Sequence, residues 1–191
     1  VFLGRALQTV TPATNSITNA MITDNTIESG KLFSTFKNGI TGADQWRITA
    51  DHSGVGDVTA NWERADTDGF NYIGTGMTES SGIFTFPETG IWSIQFISMS
   101  TVTGTYTNYL LSTIETTTNN STYGTASRSY VRIGETGGYQ NANCYFIFDV
   151  TNTTTHKCKF RLDQTQAGTA KFQGNTAHNS TFATFIRLGD T

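Results

Sequence analysis

The stretch IFTFPETGIWSIQF, residues 83–96, carries the pattern that decides the fold class. In its second half Trp92, Ile94 and Phe96 occupy alternate positions, so all three point to the same face of an extended strand. A period of two is typical of a half-buried β-strand, whereas a helical stripe recurs every three or four residues. We therefore predict a strand that turns Trp92 and Phe96 into the protein core.

Similar alternations recur from Trp46 to the end of the chain, separated by clusters of Gly, Asn, Asp and Thr. Their spacing of about 8 to 12 residues is typical of β-sandwiches, and no ten-residue stretch has a convincing helical stripe. An all-β fold is therefore predicted. The candidate strands are residues 46–50, 58–64, 83–86, 91–99, 106–114, 127–133, 142–150, 156–162, 170–172 and 181–188.

The composition excludes some classes of function. Charged residues make up 14% of the 191 residues, against about 25% in an average soluble protein. The net charge of −3 argues against a nucleic-acid binder, because phosphate binding needs a dense field of Lys and Arg. No run approaches the roughly 20 apolar residues that span a bilayer, so no membrane insertion is expected.

The spacing within the opening stretch resembles the signature of C1q-like domains. That signature has a Phe, five residues, a Gly, and then aromatic residues at alternate positions, after a turn that contains Pro. The matching residues are Phe84, Pro87, Gly90, Trp92, Ile94 and Phe96, with Trp in place of the usual Tyr and Ile in place of a Phe. Physically, Pro87 and Gly90 permit the reversal between strands.

The end of the chain supports the same resemblance, because STFATFIRL, residues 180–188, is similar to the closing strand of that family. The resemblance covers residues 44–191 and implies a ten-stranded jelly roll of the C1q and tumour necrosis factor class. It also implies a compact homotrimer. The residues expected to pack in the head core or along the trimer axis are Phe84, Gly90, Trp92, Ile94, Phe96, Tyr145, Ile147, Phe182 and Phe185.

Residues 1–40 have a different pattern, in which aliphatic residues recur every five positions: Ile17, Ile22, Ile27 and Leu32. A period of five fits neither a helix nor a strand, so one chain alone cannot collect these side chains on one continuous face. Three chains around one axis could bury them against each other. The alternative is a flexible tail; the repeat favours an extended stalk or docking arm.

The first 32 residues also resemble the openings of marine bacteriophage virion proteins. The resemblance rests on the Gly4-Arg5 start and on phrases such as Ile-Thr-x-Asn, at residues 22–25, and Ser-Gly-Lys-Leu, at residues 29–32. It implies a phage particle, since the stalks of animal C1q relatives are collagen-like and no Gly-x-y repeat is present here.

No motif predicts catalysis. Ser34-Thr35-Phe36-Lys37 matches Ser-x-x-Lys without the companion motifs of acyl enzymes. Residues 54–56 and 74–76 each read Gly-x-Gly, but the third glycine and the helix that phosphate binding requires are missing. We interpret both segments as turns, and we expect neither an enzyme nor a bound cofactor.

No metal site is expected either. His52, His156 and His178 lie far apart, and His156, two residues before Cys158, would make a poor zinc site. The Asp66-Thr67-Asp68-Gly69 segment begins like a calcium loop and lacks the later ligands, so solvated turn residues are the better interpretation.

Cys144 and Cys158 fall in CYFIFDVTNTTTHKCKF, residues 144–160, which the pattern predicts to be a β-hairpin. Both have the parity of the apolar residues on their strands. Directly opposed cysteines could form a disulfide, whereas a two-residue slip would separate them. Buried free thiols are the favoured interpretation.

Two functional hypotheses follow. The first is a non-enzymatic virion surface protein, a capsid decoration, head fibre or tail-fibre tip. Its arm, residues 1–40, would dock on other virion proteins and its trimeric head, residues 44–191, would face outward for adhesion or stabilisation. A host-surface glycan is a further expected partner. The alternative is a secreted, extracellular C1q-like module that binds carbohydrate or signals.

Overall fold

The computed structural model of the chain describes residues 39–104, 109–165 and 170–191. The proposed docking residues Ile17, Ile22, Ile27 and Leu32 lie outside this part of the chain, and so does the Ser34 to Lys37 motif. The arm therefore stays a prediction from the sequence, and the structure concerns the head.

The described residues form twelve strands and no helix, so the all-β prediction is confirmed and the predicted number of ten strands is wrong. The strands are β1 Ala43–Ile48, β2 Gly56–Asp57, β3 Trp62–Arg64, β4 Thr78–Ser80, β5 Ile83–Thr85, β6 Gly90–Val102, β7 Leu110–Thr117, β8 Gly124–Val131, β9 Tyr139–Val150, β10 Lys157–Gln164, β11 Ala170–Phe172 and β12 Phe182–Gly189.

The strands form two antiparallel sheets of six, which we call sheet I and sheet II. Sheet I is centred on β6, which pairs with β9 along one edge. Along its other edge β6 pairs with β12 and, at its far end, with β11, and the sheet continues from β12 through β1 to β3. In sheet II the order is β4, β5, β10, β7, β8, and β2 pairs with β10 beyond β5.

The hydrophobic core lies between the two sheets. On β6 the side chains alternate strictly, and Trp92, Ile94 and Phe96 are buried in the core. Phe84 from β5 is fully buried and lies within 5.6 Å, between ring centroids, of both Trp46 and Trp62. A cluster of rings therefore fills the space between the sheets, where each buried aromatic side chain contributes a large apolar area.

Gly90 opens β6 in a conformation that few other residues adopt, with φ of 145°. A Cβ at this position would lie 2.6 Å from the carbonyl oxygen of Gly189 and 2.5 Å from Nε of Arg187. The turn before β6 and the close approach of the last strand thus both need a residue without a side chain.

Two strand assignments were wrong, for different reasons. The predicted strand at residues 58–64 is too long, because only its last three residues form a strand, β3 of sheet I, while β2 ends before it in sheet II. Asn61, with φ of 63°, interrupts the extended backbone where the chain passes between the sheets. β4 was missed because Thr-Glu-Ser has no apolar alternation. It pairs with β5 through the two-residue turn Ser81-Gly82, in which both φ angles are positive.

The predicted hairpin between Cys144 and Cys158 is also wrong. β9 pairs with β6 in sheet I, whereas β10 pairs with β7 and β5 in sheet II. The segment between them, residues 151–156, therefore connects the two sheets instead of closing a turn within one sheet. Parity still places both thiols in the core, one from each sheet, and both cysteines are free.

Candidate functional site

The outward face of sheet I, turned away from the core, is the first candidate interaction surface. The strand register aligns its central side chains in three cross-strand rows over β1, β12, β6 and β9. The rows are Ala43, Ile186, Ser93 and Ile147; Gln45, Thr184, Gln95 and Tyr145; and Arg47, Phe182, Ile97 and Asn143. Arg47 is the only charged residue of the three rows, and its side chain is 1% exposed.

The middle row is linked by hydrogen bonds between neutral groups. Gln45 Nε2 donates to Thr184 Oγ1 at 3.0 Å, and Gln95 Nε2 donates to the Tyr145 hydroxyl at 2.9 Å. Each bond pairs one of the two N–H donors of its carboxamide, which lowers the cost of covering this face with a partner.

The structure separates the four residues proposed for the trimer axis. Tyr145 and Ile147 are 60% and 63% exposed on β9, and Phe182 is half-buried on the same outward face. Phe185, in contrast, is fully buried and lies 5.3 Å from Phe84 between ring centroids. Phe185 therefore belongs to the core of the subunit and cannot line an axis between subunits.

The outward face of sheet II has a different chemistry, because it carries several charged side chains, some of which form ion pairs between β2, β7 and β10. Lys159 Nζ lies 2.7 Å from Asp57 and 3.2 Å from Glu115. Arg161 lies 3.3 Å from Asp163. A partner that covered this face would have to desolvate these charges, whereas the central rows of sheet I expose none, so the outward face of sheet I is the better candidate for a partner.

A cleft of about 350 Å³ lies beside the outward face of sheet I, and we call it the Arg47 cleft. Its lining residues are Gln45, Arg47, Ala65, Thr67, Asp68, Gly69, Phe70, His178 and Asn179. Two segments outside the strands, residues 65–70 and 178–179, form its walls around β1. It is the second candidate site.

Arg47 organises one wall of this cleft. Its guanidinium donates to Glu63 and Asp66, at 2.6 Å each, and to the Thr67 hydroxyl at 3.0 Å. The hydroxyl of Thr67 in turn donates to the carbonyl of Ala177 at 2.9 Å. The buried cation is thereby neutralised, and it ties the two walls of the cleft together.

A second buried charge holds the loop that precedes β4. Asp44, 2% exposed, accepts hydrogen bonds from the Trp46 indole, the Met77 amide and the guanidinium of Arg64. That guanidinium also lies 4.6 Å from the ring centroid of Tyr72. Because Asp44 and its three donors are all paired within the chain, we interpret this network as structural support for the loop.

The remaining sequence motifs form no reactive arrangement among the residues that the structure describes. They contain no cluster of three or more His, Cys, Asp or Glu side chains suited to a metal ion. Gly74 and Gly76 have positive φ angles in a turn. His156 stacks on Phe148, with ring centroids 5.6 Å apart. Within the same residues no helix is long and apolar enough to cross a membrane.

Burial suppresses the reactivity of the two thiols. It raises the pKa of Cys144 to about 11, and it raises the pKa of Cys158 as well. The Cys144 thiol donates to the carbonyl of Ser112 at 3.1 Å, across the core. Since the thiolate is the nucleophilic form, both cysteines are packing residues at neutral pH.

Sequence reasoning missed the Arg47 cleft. Its residues come from β1, from the loop after β3 and from the segment before β12, and no local pattern connects them. The one available signal was Asp68-Gly69, a turn dipeptide, which we interpreted as solvated. Asp68 and Gly69 indeed form a turn, with φ angles of 55° and 77°.

Comparison with known proteins gives matches of structure and none of sequence. No family model matches the chain, and no curated protein matches it significantly. The Eiger TNF of S. frugiperda matches with a TM-score of 0.59 and 10% identity, over 80% of this chain and 96% of that one. Murine APRIL at pH 8.5 matches with a TM-score of 0.55 and 14% identity, over 77% and 98%. Murine APRIL at pH 5.0 matches equally, with a TM-score of 0.56.

At identities this low the likeness is one of fold. It covers most of the described strands, and both sheets are antiparallel, as the C1q-like spacing implied. The chain therefore has a jelly-roll fold of the tumour necrosis factor type.

Proposed function

We propose that this chain is a non-enzymatic, trimeric surface protein of a virion. In this proposal the head, residues 44–191, presents its loops outward, and the arm, residues 1–40, docks on other virion proteins. The observation that carries the trimer is the contrast between the two outward faces: charged side chains, several in ion pairs, lie along β2, β7 and β10 of sheet II, while the central rows of sheet I expose no charge.

Burial of the β6 and β9 side of the outward face of sheet I in a trimer is energetically reasonable, and it would leave the Arg47 cleft open at β1, on the other side of β12. Tyr145 and Ile147, on the edge strand β9, expose more than half of their surface, and the three central rows to which they belong expose no charge. Covering these two side chains gains about 25 cal/mol per Å² of apolar surface, and no exposed ion of the three rows has to be desolvated. Aromatic side chains at the centre and few charges are the composition typical of interface cores.

A threefold arrangement follows from the proposed docking arm. The five-residue repeat of Ile17, Ile22, Ile27 and Leu32 needs neighbouring chains to bury its aliphatic layers. The fold likeness to Eiger TNF and APRIL supports the jelly-roll head and does not bear on the virion.

The proposed trimer is tested with two variants, each of which places one negative charge on the outward face of one of the two sheets. Ile147→Glu puts a carboxylate on the outward face of sheet I, and Ile83→Glu puts one on sheet II, where Lys159 is the cross-strand neighbour. In sedimentation velocity at micromolar concentration we expect wild type and Ile83→Glu to be trimers and Ile147→Glu to be a monomer. A wild-type monomer, or a trimeric Ile147→Glu, would contradict the proposal.

The virion is tested separately, by immunogold labelling of purified particles with an antibody against this chain. Regularly spaced label on capsids or tails is expected.

The second candidate function is a secreted C1q-like or tumour necrosis factor-like module, which the fold likeness favours. Label that stays in the supernatant while particles remain unlabelled would support this second function and contradict the first.

A further inference from the structure

We propose that the Arg47 cleft is a binding site for a neutral sugar, the size of one or two rings, at the end of a surface glycan. The inference rests on the proposed function, in which the head faces outward, and it assigns the adhesion expected from the sequence to named residues. The cleft of about 350 Å³ is at the lower end of the range for small-molecule pockets, about 300 to 1,000 Å³.

Hydrogen bonds within the chain fix the backbone of both walls of the cleft. On one side the Phe70 amide donates to the carbonyl of Thr67 at 3.1 Å, which closes the tight turn through Asp68 and Gly69. On the other side the Asn175 carboxamide oxygen accepts hydrogen bonds from two successive backbone amides, at 2.7 and 3.2 Å. A ligand would therefore meet preorganised groups and would not have to order the loops.

Charge excludes an anionic ligand. Arg47 is the only Arg or Lys of the lining, and its guanidinium is already neutralised by Glu63 and Asp66. The Asp68 carboxylate adds a further negative charge. A phosphate or carboxylate ligand would meet repulsion without a free cation to compensate it.

The polar groups of the lining that are not already paired are suited to bind the hydroxyl groups of a sugar. Among the described residues, the Asp68 carboxylate, the His178 imidazole and the side-chain oxygen of Asn179 have no hydrogen-bond partner. They combine strong acceptors with a ring that can donate, and each sugar hydroxyl both donates and accepts. An ammonium ligand only donates hydrogen bonds, so it would use the acceptors alone and leave the N–H group of the His178 ring unused.

Phe70 supplies the apolar part of the site. Its partly exposed ring lines the Arg47 cleft and also a neighbouring depression, so it stands as a ridge between the two. The C–H face of a pyranose ring could pack on this surface while its hydroxyls reach the acceptors.

The decisive variant removes the Asp68 side chain without changing the turn. Asp68 has φ of 55°, which glycine adopts freely, so Asp68→Gly keeps the backbone geometry. Asn120→Gly is the matched control, because Asn120 has the same φ of 55° in an exposed turn of sheet II. Asn179→Ala is a second variant in case Asp68→Gly does not fold.

Binding is measured on the full-length chain by saturation-transfer NMR and calorimetry. The probes are the methyl glycosides of glucose, mannose and galactose, N-acetylglucosamine, inorganic phosphate and spermidine. We expect at least one neutral sugar to bind, with Kd raised at least about tenfold by Asp68→Gly, as loss of a charge-assisted hydrogen bond predicts. Asn120→Gly should leave Kd unchanged.

Three results would overturn the inference: no binding of any neutral sugar, sugar binding that neither Asp68→Gly nor Asn179→Ala weakens, or binding of phosphate or spermidine in place of a sugar. Sedimentation of the same samples separates this failure from failure of the proposed function. A trimer that labels virions but binds no sugar would overturn the sugar site alone.

Discussion

Phe96 of sheet I and Phe160 of sheet II stack across the core, with ring centroids 4.5 Å apart and an interplanar angle of 28°. Both side chains are fully buried. Phe160 also lies 5.4 Å from Phe84 and 5.5 Å from Trp62, between ring centroids. This pair therefore joins the two sheets at the centre of the aromatic cluster.

Removal of the Phe160 ring should be severe. Phe160→Ala leaves a cavity among rings from both sheets, and we expect it to lower the free energy of unfolding by about 3 to 5 kcal/mol. Urea denaturation followed by tryptophan fluorescence measures the change. Val55→Ala, at a side chain 45% exposed, is the control and should change stability by less than about 0.5 kcal/mol. A loss of similar size in both variants would contradict the assignment of the core.

The folded protein should protect both thiols from chemical modification. Because burial raises the pKa of Cys144 to about 11 and also raises that of Cys158, neither forms much thiolate at pH 8. We expect the native protein to react with an aromatic disulfide reagent only at its rate of unfolding. In guanidinium both cysteines should react at once. One intact disulfide by mass spectrometry, or rapid labelling of the native chain, would show that this account is wrong.

His52 should make stability depend on pH. Burial lowers its pKa from 6.5, so the folded state binds the proton more weakly than the unfolded chain. The contribution to stability is therefore complete above pH 6.5 and is lost as the pH falls from there towards the folded-state pKa. His52→Phe should flatten urea stability between about pH 5 and pH 7 relative to wild type. Identical slopes in the two proteins would contradict the prediction.

The proposed trimer should be insensitive to salt. The three central rows of sheet I contain no exposed charge, so screening has little to act on. Between about 0.05 and 0.5 M NaCl we expect the trimer dissociation constant, measured by sedimentation equilibrium, to change less than about threefold. A steep weakening with salt would indicate an interface built on ion pairs.

Docking should depend on the arm and folding on the head. A chain that begins at Gly39 keeps all twelve strands and retains Gly42, whose carbonyl accepts the Arg187 amide at 2.8 Å. We expect it to fold and to lose binding to particles in co-sedimentation.

In the full chain, Ile22→Asp together with Ile27→Asp should abolish docking and leave the circular dichroism of the head unaltered. Particle binding by the shortened chain would instead place the attachment surface in the jelly roll.

The sequence alone determined what depends on local alternation. The period of two around Trp92 predicted a buried strand face, and the resemblance of the segment from Phe84 to Phe96 to C1q-like domains implied the jelly-roll class. Parity also predicted that Cys144 and Cys158 point inward, since the side-chain period of a strand is independent of its partner.

Only the tertiary structure decided which strands are neighbours. A strand's pattern is the same whether the next segment turns back beside it or crosses to the other sheet, so the supposed hairpin at Cys144 and Cys158 could not be told from a connection between sheets. For the same reason Phe182 and Phe185 could not be separated until the register turned the first outward and the second inward. The Arg47 cleft depends on three segments distant in the sequence, and such a site exists only once long-range packing has brought Gln45, Asp68 and Asn179 together.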